Sequence, residues 1–317
     1  MASPRQPTAF VGLTDADWLD HLRALPDLHE VNFWQPSPHG FGALEPGEPF
    51  IFKLHSKQGG LAAGIAFFVK YIELPVSLAW DYFGLANGAS SLAEMRARIE
   101  RYRRARPDPL EDYRVGCVML SDPVFFDTVD RFPVPDWHPN IQVGRRYSLV
   151  DEPGASLWAR VQRLISAHAE STRILAVHEA PSARYGTPVF VRPRLGQAAF
   201  KAIVLDAYGR RCSVTGEKVL PTLEAAHIRP FAEGGEHRVD NGLLLRRDLH
   251  ALFDRGYLTV TPDLEVRVSR RLRTDFNNGE EYMALSGRPL RRPLDPGDAP
   301  NPEFLEWHNR TRFKSVL

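Results

Sequence analysis

Ala225-Ala226-His227-Ile228-Arg229-Pro230, then Asp240-Asn241-Gly242-Leu243-Leu244-Leu245, then Leu249-His250-Ala251-Leu252-Phe253-Asp254-Arg255-Gly256 is the stretch on which the fold turns. It reads as a two-stranded hairpin feeding a helix. His227 falls on the first strand, Asn241 at the start of the second, and His250 on the helix. Gly234-Gly235 lies between the strands and suits the hairpin connection.

Immediately before this stretch, Arg210-Arg211-Cys212-Ser213-Val214-Thr215-Gly216 reads as a tight knuckle. Gly196 to Tyr208 reads as an amphipathic helix with Phe200, Ile203, Val204 and Ala207 facing inward. Behind it, Pro181 to Pro193 mixes Pro, Gly and Arg, the composition of a domain boundary. Ser156 to His168 reads as a helix joining the domains, with Leu157, Val161, Leu164 and Ile165 on one face. After the central stretch, the turn-rich loop Asp295 to Pro302 leads into a short final helix, Phe304 to Phe313.

The N-terminal half has a different texture. Residues 1–10 read as a loose arm, and Thr14 as the cap of a helix carrying Trp18, Leu19, Leu22 and Leu25. Extended pieces follow at Val31 to Trp34, Pro49 to Leu54, Ala63 to Ile72 and Tyr113 to Leu120. Leu78 to Phe83 is a short helix, and Ser91 caps a longer one running from Leu92 to about Arg104. Alternation places Phe67 and Phe68 on opposite faces of their strand, so a one-sided sheet would bury only one of them. The pattern predicts a small, aromatic-rich α+β domain around a curved, barrel-like sheet.

The chain of 317 residues suggests two domains, and its 43% apolar and 25% charged content is that of a soluble globular protein. No apolar run reaches the length of a membrane span, and the N-terminus lacks the apolar core of a signal peptide. With only Cys117 and Cys212, neither a disulfide framework nor a four-cysteine zinc site can form, so a reducing cytoplasm is the simplest setting. The net charge is +1, divided between about +4 from Val191 onward and about −3 before it. That bias permits phosphate binding in the second half without showing it.

His227 to Asn241 is fourteen positions, Asn241 to His250 nine, and His250 to Asp254 four. An imidazole with an ordinary pKa near ~6.5 can take a proton from water at neutral pH, which makes His227 a candidate general base. An asparagine close to it can fix its orientation, and Asn241 is the candidate. His250 and Asp254, four apart on a helix, project from one face, and such a nitrogen–carboxylate pair can hold Mg²⁺, Mn²⁺ or Zn²⁺. A single divalent ion plus one base can supply the nucleophile, the charge on the phosphate and help for the leaving oxygen.

This series resembles the HNH nuclease family, whose ββα-metal fold also occurs in colicin DNases and methyl-directed restriction enzymes. The likeness covers about residues 195–315, the tail Leu305 to Phe313 included. It implies that His227 is the general base, Asn241 the middle Asn and His250 a metal ligand, with Asp254 where many members have a second ligand. Arg246, Arg247, Lys218 and Arg229 could hold phosphates. The products would carry a 5′-phosphate and a 3′-hydroxyl.

Two departures from the family pattern stand out. Many members place a metal ligand immediately before the base, where this chain has Ala226. Glu224, two residues back along the strand, points to the same side and could substitute. Many members also staple the fold with paired cysteines around zinc. Here Cys212 stands alone with Thr215 in the partner position, so packing by Phe253 and Tyr257 must replace the metal.

The first half resembles the PUA-like superfamily, of the EVE and ASCH type. The carriers are Asn32-Phe33-Trp34-Gln35-Pro36-Ser37, the strand Gly47 to Leu54 after a tight turn, and Ala63 to Val69. Such domains bind RNA or modified bases, often as the reader half of a restriction enzyme. An aromatic pocket for a flipped base would draw on Trp34 or Trp80.

The expected organisation is α+β, with a PUA-like recognition domain at 1–152, a linker helix and loop at 153–192, and a ββα-metal HNH endonuclease domain at 193–317. The expected partner is double-stranded DNA carrying a modified cytosine, with one divalent ion per site. A homodimer would allow both strands to be cut. Other readings stay open. The first domain could sense a small ligand or a protein, or the missing ligand at Ala226 could mark a non-catalytic DNA-binding module. Asp254 could cap its helix or pair with Arg255, Glu224 could be a solvated strand residue, and the Arg96 to Arg104 series could be a solvated helix face.

Overall fold

The first apolar run of the chain, Thr8-Ala9-Phe10-Val11-Gly12-Leu13-Thr14, is a strand (β1, Thr8–Thr14) rather than part of an arm. The structure, a computed structural model, describes residues 5–104, 107–175 and 195–315. Phe10 pairs with Phe50 in parallel, and Ala9 pairs with Tyr147 in antiparallel fashion. Partners forty and more positions away leave no local signal, which is why residues 8–10 read as loose. Thr14 closes this strand, and Asp15 takes the cap position of helix α1 (Ala16–Arg23) without a side-chain cap bond.

By its contacts the chain divides into two compact units, 1–194 and 195–317. The boundary expected over 181–193 lies outside the described residues. In the first unit the elements after α1 are β2 (Glu30–Gln35), β3 (Pro49–Leu54), β4 (Leu61–Pro75), α2 (Val76–Phe83), α3 (Leu92–Glu100), β5 (Arg114–Phe125), β6 (Phe132–Pro133), β7 (Gly144–Ser148) and α4 (Gly154–Leu175). The sheet runs β2-β5-β4-β3-β1-β7, with β6 paired to β4. β2 and β7 are its ends, so among the described residues the sheet is open and no barrel closes.

The reason lies in how the strands are covered. All six residues of β3 are buried. Phe50 and Phe52 pack with Phe10, Trp18 and Leu19 of α1 on one face. Ile51 packs on the other with Ala9, Val11 and Leu157, Val161 and Ile165 of α4. Phe68 belongs to the first cluster and Phe67 to the second, so both are used where a one-sided sheet would bury one. The helix expected to link the domains therefore packs its apolar face into the first unit. Each fully buried Phe or Ile side chain contributes about 1.5–3 kcal/mol, and a sheet covered on both faces collects it twice. The single long β4 stays paired with β5 while its register shifts at irregularities between Ile65/Phe67 and Phe68/Lys70. α3 starts as expected, with Ser91 accepting from the Glu94 amide, but ends at Glu100.

The second unit begins with α5 (Gln197–Ala207) and continues with β8 (Leu223–His227), β9 (Gly242–Arg246) and α6 (Arg247–Asp254). The hairpin β10 (Leu258–Val260) and β11 (Val266–Val268) follows, then α7 (Arg271–Phe276), α8 (Glu280–Met283) and α9 (Pro302–Thr311). β8 and β9 are antiparallel, with His227 opposite Gly242 and Glu224 opposite Leu245. Leu243, Leu244, Leu245, Leu249 and Phe253 are buried, as are Phe200, Ile203 and Val204 of α5. Among the described residues no helix is long and apolar enough to cross a membrane.

α5 approaches the strand pair at Gly242, where a Cβ would lie 2.5 Å from Val204 Cγ2 and 3.1 Å from the Phe200 ring. Gly242→Ala should therefore push α5 away, with a loss of about 1–3 kcal/mol in chemical denaturation. A Gly242→Ala protein as stable as the native one would contradict this packing.

Candidate active site

Three elements of the second unit place the candidate residues. β8 carries Glu224 and His227, the β8–β9 connection carries His237, and α6 carries His250 and Asp254. The hairpin connection is held from inside by Asn241, which is fully buried. Its Oδ1 accepts from the Arg229 amide at 2.9 Å, and its Nδ2 donates to the carbonyls of Arg229 and Glu236, both at 2.9 Å. Ile228 N–H donates to the Asn241 carbonyl. One side chain thus ties the exit of β8 to the far side of the loop.

Tying residue 229 to residue 236 brings two histidines together. His227 Nε2 lies 2.9 Å from His237 Nδ1. The His227 ring stacks on Phe200, with centroids 3.9 Å apart and planes at 13°. The His237 ring stacks on Phe231 at 4.9 Å and 10°. Burial pulls the His227 pKa down to about 4, helped by His237, His250 and Lys201. Burial also lowers that of His237. Both rings are therefore neutral at neutral pH, so His227 has a lone pair available for a proton. Gly234, at φ 82°, makes the turn, and a Cβ on Gly235 would meet the Arg229 carbonyl at 1.9 Å. The loop closes only with glycine there.

Beside this pair, His250 sits between two carboxylates. Its Nδ1 is 2.8 Å from Glu224 Oε2, and its Nε2 is 3.3 Å from Asp254 Oδ2. Arg247 Nε reaches Glu224 Oε1 at 2.9 Å. A neutral imidazole has one N–H and can donate to only one of these carboxylates, whereas a protonated ring donates to both. In donor chemistry the set fits a hard or borderline divalent ion. Among the described residues no three His, Cys, Asp or Glu already converge on a single point. An ion would take one ring nitrogen of His250 together with the carboxylate on that side. Ala226 is fully buried, so its position offers no ligand.

The basic candidates separate. Arg247 is exposed and lies beside Glu224. Arg246 is held bidentately by Asp248 at 2.9 and 2.6 Å, and shares an open depression of about 370 Å³ with Lys218, Thr215, Gly216 and Glu217. Arg229 turns back to the Glu233 carbonyl and lies over the Trp307 ring, 5.5 Å from its centroid. Its guanidinium is thus already engaged within the loop and tail. In the first unit, Trp34 on β2 is half-buried and donates Nε1–H to the Asn87 carbonyl. Trp80 on α2 is half-buried, and among the described residues no ring contact joins it to Trp34. Arg96, Arg98 and Arg103 are taken up by Glu100, Glu94 and the Pro36 carbonyl respectively.

Sequence reasoning missed His237. The available signal was a second histidine directly after Gly234-Gly235-Glu236, in the loop that returns to the base.

The knuckle closes without paired cysteines. Gly216 N–H donates to the Cys212 carbonyl, Cys212 N–H to that of Glu217, and Thr215 N–H to Cys212 Sγ. Ser213 reaches β9 through its amide and its hydroxyl, both on the Leu244 carbonyl. Phe253 and Tyr257 are buried as expected. A further anchor comes from α9. His308 is buried, bonds Thr259 Oγ1 through Nδ1 and the Phe253 carbonyl through Nε2, and stacks on Phe253 at 3.8 Å.

Burial pulls His308 down to about 4 from an ordinary 6.5. The unfolded chain then binds the extra proton between those pH values, so stability falls as pH drops through that window. Thermal unfolding between pH 7 and 4.5 should show this fall, and His308→Gln should flatten it. An unchanged pH slope in the variant would remove His308 as a source.

Residues 212–261 match the HNH endonuclease family. The matched segment spans the knuckle, β8, β9, α6 and β10, and so includes every residue around His227 and His250 named above except Phe200 and Lys201. No curated protein matches the chain. Among solved structures, a modification-dependent TagI restriction endonuclease aligns over 96% of this chain and 82% of its own, at 16% identity and a TM-score of 0.30. A likeness of that size leaves the fold to rest on this chain's own residues.

Proposed function

We propose that the chain is a metal-dependent DNA endonuclease whose second unit hydrolyses a phosphodiester bond. The observation that carries this is the presence together, inside a segment matching the HNH endonuclease family, of a neutral, oriented imidazole at His227 and the contacts of His250 with Glu224 and Asp254. His250 with Asp254 or Glu224 would hold the divalent ion, Mg²⁺ or Mn²⁺, with other transition metals accepted by the same donors. When bound, that ion supplies positive charge at the scissile phosphate and acidifies water.

His227 takes the proton from the attacking water as its oxygen bonds to phosphorus, the bond to the 3′ oxygen breaks, and that oxygen takes a proton from solvent water. The products are a 5′-phosphate and a 3′-hydroxyl. Asn241 holds the loop that orients His227. Arg247 and Lys218 are the basic side chains best placed to meet backbone phosphates, and Arg246 is partly neutralised by Asp248.

Within the first unit, residues 1–152 are assigned the reading of a modified cytosine. The support is its PUA-like sequence features at Asn32–Ser37, Gly47–Leu54 and Ala63–Val69. Trp34 and Trp80 are the aromatic candidates for a flipped base. Residues 193–317 form the nuclease domain, and of the stretch 153–192 helix α4 belongs to the core of the first unit. A homodimer would place two such sites on opposite strands.

The test is digestion of matched DNA carrying plain, methylated, hydroxymethylated or glucosylated cytosine, with Mg²⁺ or Mn²⁺ and with chelator. Cleavage confined to one or more modified substrates and abolished by chelator is expected. Equal digestion of all four would remove the reader assignment, and a free modified nucleotide that switches cutting on would make the first unit a sensor instead. No cleavage of any substrate would leave a DNA-binding module without catalysis.

A further inference from the structure

We propose that His237 is a positioning residue for His227, accepting a hydrogen bond from His227 Nε2–H on its own Nδ1 and so keeping the lone pair of His227 on Nδ1. This rests on the nuclease reading for its purpose and on geometry for its existence. The 2.9 Å contact joins His227 Nε2 on β8 to His237 Nδ1 in the β8–β9 loop. Two neutral imidazoles in such a contact share one proton, and the two ways of sharing it have opposite consequences. With the proton on His227 Nε2, Nδ1 is a base. With it on His237 Nδ1, the other nitrogen of His227 carries a hydrogen and can accept nothing.

Several features make the contact a built one. Phe200 lies flat on the His227 ring and Phe231 flat on His237, so neither imidazole can turn out of its plane freely. Phe200 is itself fully buried. Asn241 bonds the carbonyl of Glu236, the residue adjoining His237, and both backbone groups of Arg229, two positions beyond His227. The pair is thus set by the same side chain that shapes the loop. Among the described residues, the charged and titratable groups acting on His227 are His237 from the loop, His250 from α6 and Lys201 from α5. Each is a base or a cation, so no carboxylate takes the orienting role on the Nε2 side, and an imidazole fills it.

The decisive variants are His237→Ala, His237→Asn and His237→Asp. His237→Ala should lower kcat about 10–100-fold, the scale seen on losing a partner that orients a metal-bound imidazole. His237→Asn, whose carbonyl oxygen can accept from Nε2, should recover part of the loss. His237→Asp should move the acid limb of kcat/KM upward by about one pH unit or more, because a carboxylate beside His227 favours its protonated form. A residue serving only the loop's shape would not move that limb.

Long-range ¹H–¹⁵N spectra of the imidazoles at neutral pH, assigned by comparison with His227→Ala, read the tautomer without any reference to cleavage. The expected result is a proton on His227 Nε2 in the native protein and a loss of that preference in His237→Ala. A proton on His227 Nδ1 overturns the proposal. So does native kcat and an unmoved limb in both His237→Ala and His237→Asp. If the native protein cuts no DNA, the nuclease reading fails, and the spectra alone still decide the pair.

Discussion

His227→Ala should lose about 10²–10⁴-fold in the rate of plasmid cleavage, the range a positioned general base supplies, while the second unit stays folded. The native ring contributes two interactions that alanine lacks: the stack on Phe200 and the hydrogen bond to His237. Neither holds the β8–β9 pairing, which is backbone to backbone. The residue opposite is Gly242, so no cross-strand side chain leans on the imidazole. Circular dichroism should therefore be unchanged while turnover collapses.

The pH dependence sharpens the expectation. With its pKa pulled down to about 4 by burial and by neighbouring bases, His227 is neutral throughout the neutral range. The native rate should rise as pH increases through about 4 and 5, and then show no further limb from this residue. An ordinary, solvated histidine would put that limb near ~6.5. The comparison is made with Mg²⁺ or Mn²⁺ on supercoiled DNA. Equal cleavage by the native protein and His227→Ala would remove His227 from the reaction.

How much of this was legible in the sequence depends on how local each signal is. The hairpin and helix at 223–254 could be read because glycines, strand-forming runs and a four-residue spacing are all short-range. Glu224 could be named because alternation along one strand puts it on a given side, and in the structure it lies 2.8 Å from His250. His237 stood out only as a second histidine in the loop, because its pairing with His227 is created by the buried amide of Asn241, through bonds that no spacing rule encodes. Arg229 sits beside the base in sequence, yet its side chain runs to Glu233 and Trp307. The direction of a long side chain leaving a loop is a tertiary property.

The first unit shows the same division. Its strands at 49–54, 63–72 and 113–120 were visible from composition. β1 was not, because its partners β3 and β7 lie about 40 and 135 positions on, and an apolar heptapeptide near a terminus looks the same paired or free. The openness of the sheet was hidden for a related reason. A strand such as β3, apolar at every position but Lys53, suits the wall of a barrel and the middle of a two-sided sheet equally well. Only the docking of α4 through Leu157, Val161 and Ile165 decides between them.

Asn241 carries the second large effect, and its character should differ from that of His227. In Asn241→Ala the amide of Arg229 and the carbonyls of Arg229 and Glu236 lose the fully buried side chain that partners them, at the part-buried base of the loop. Each buried polar group left unsatisfied costs about 1–3 kcal/mol, and partial entry of water limits the sum to about 3–5 kcal/mol. Asn241→Asp is no rescue. It keeps the acceptor for the Arg229 amide but removes both donations, and it sets a negative charge against two carbonyl oxygens. Both variants should lower the denaturation midpoint of the second unit and lose cleavage together, whereas His227→Ala separates the two. The imidazole spectra should show why: once residues 229 and 236 are no longer tied, His227 and His237 lose their shared hydrogen bond. An Asn241→Ala protein of native stability but reduced turnover would instead place this amide on the substrate, in direct contact with the reacting phosphate.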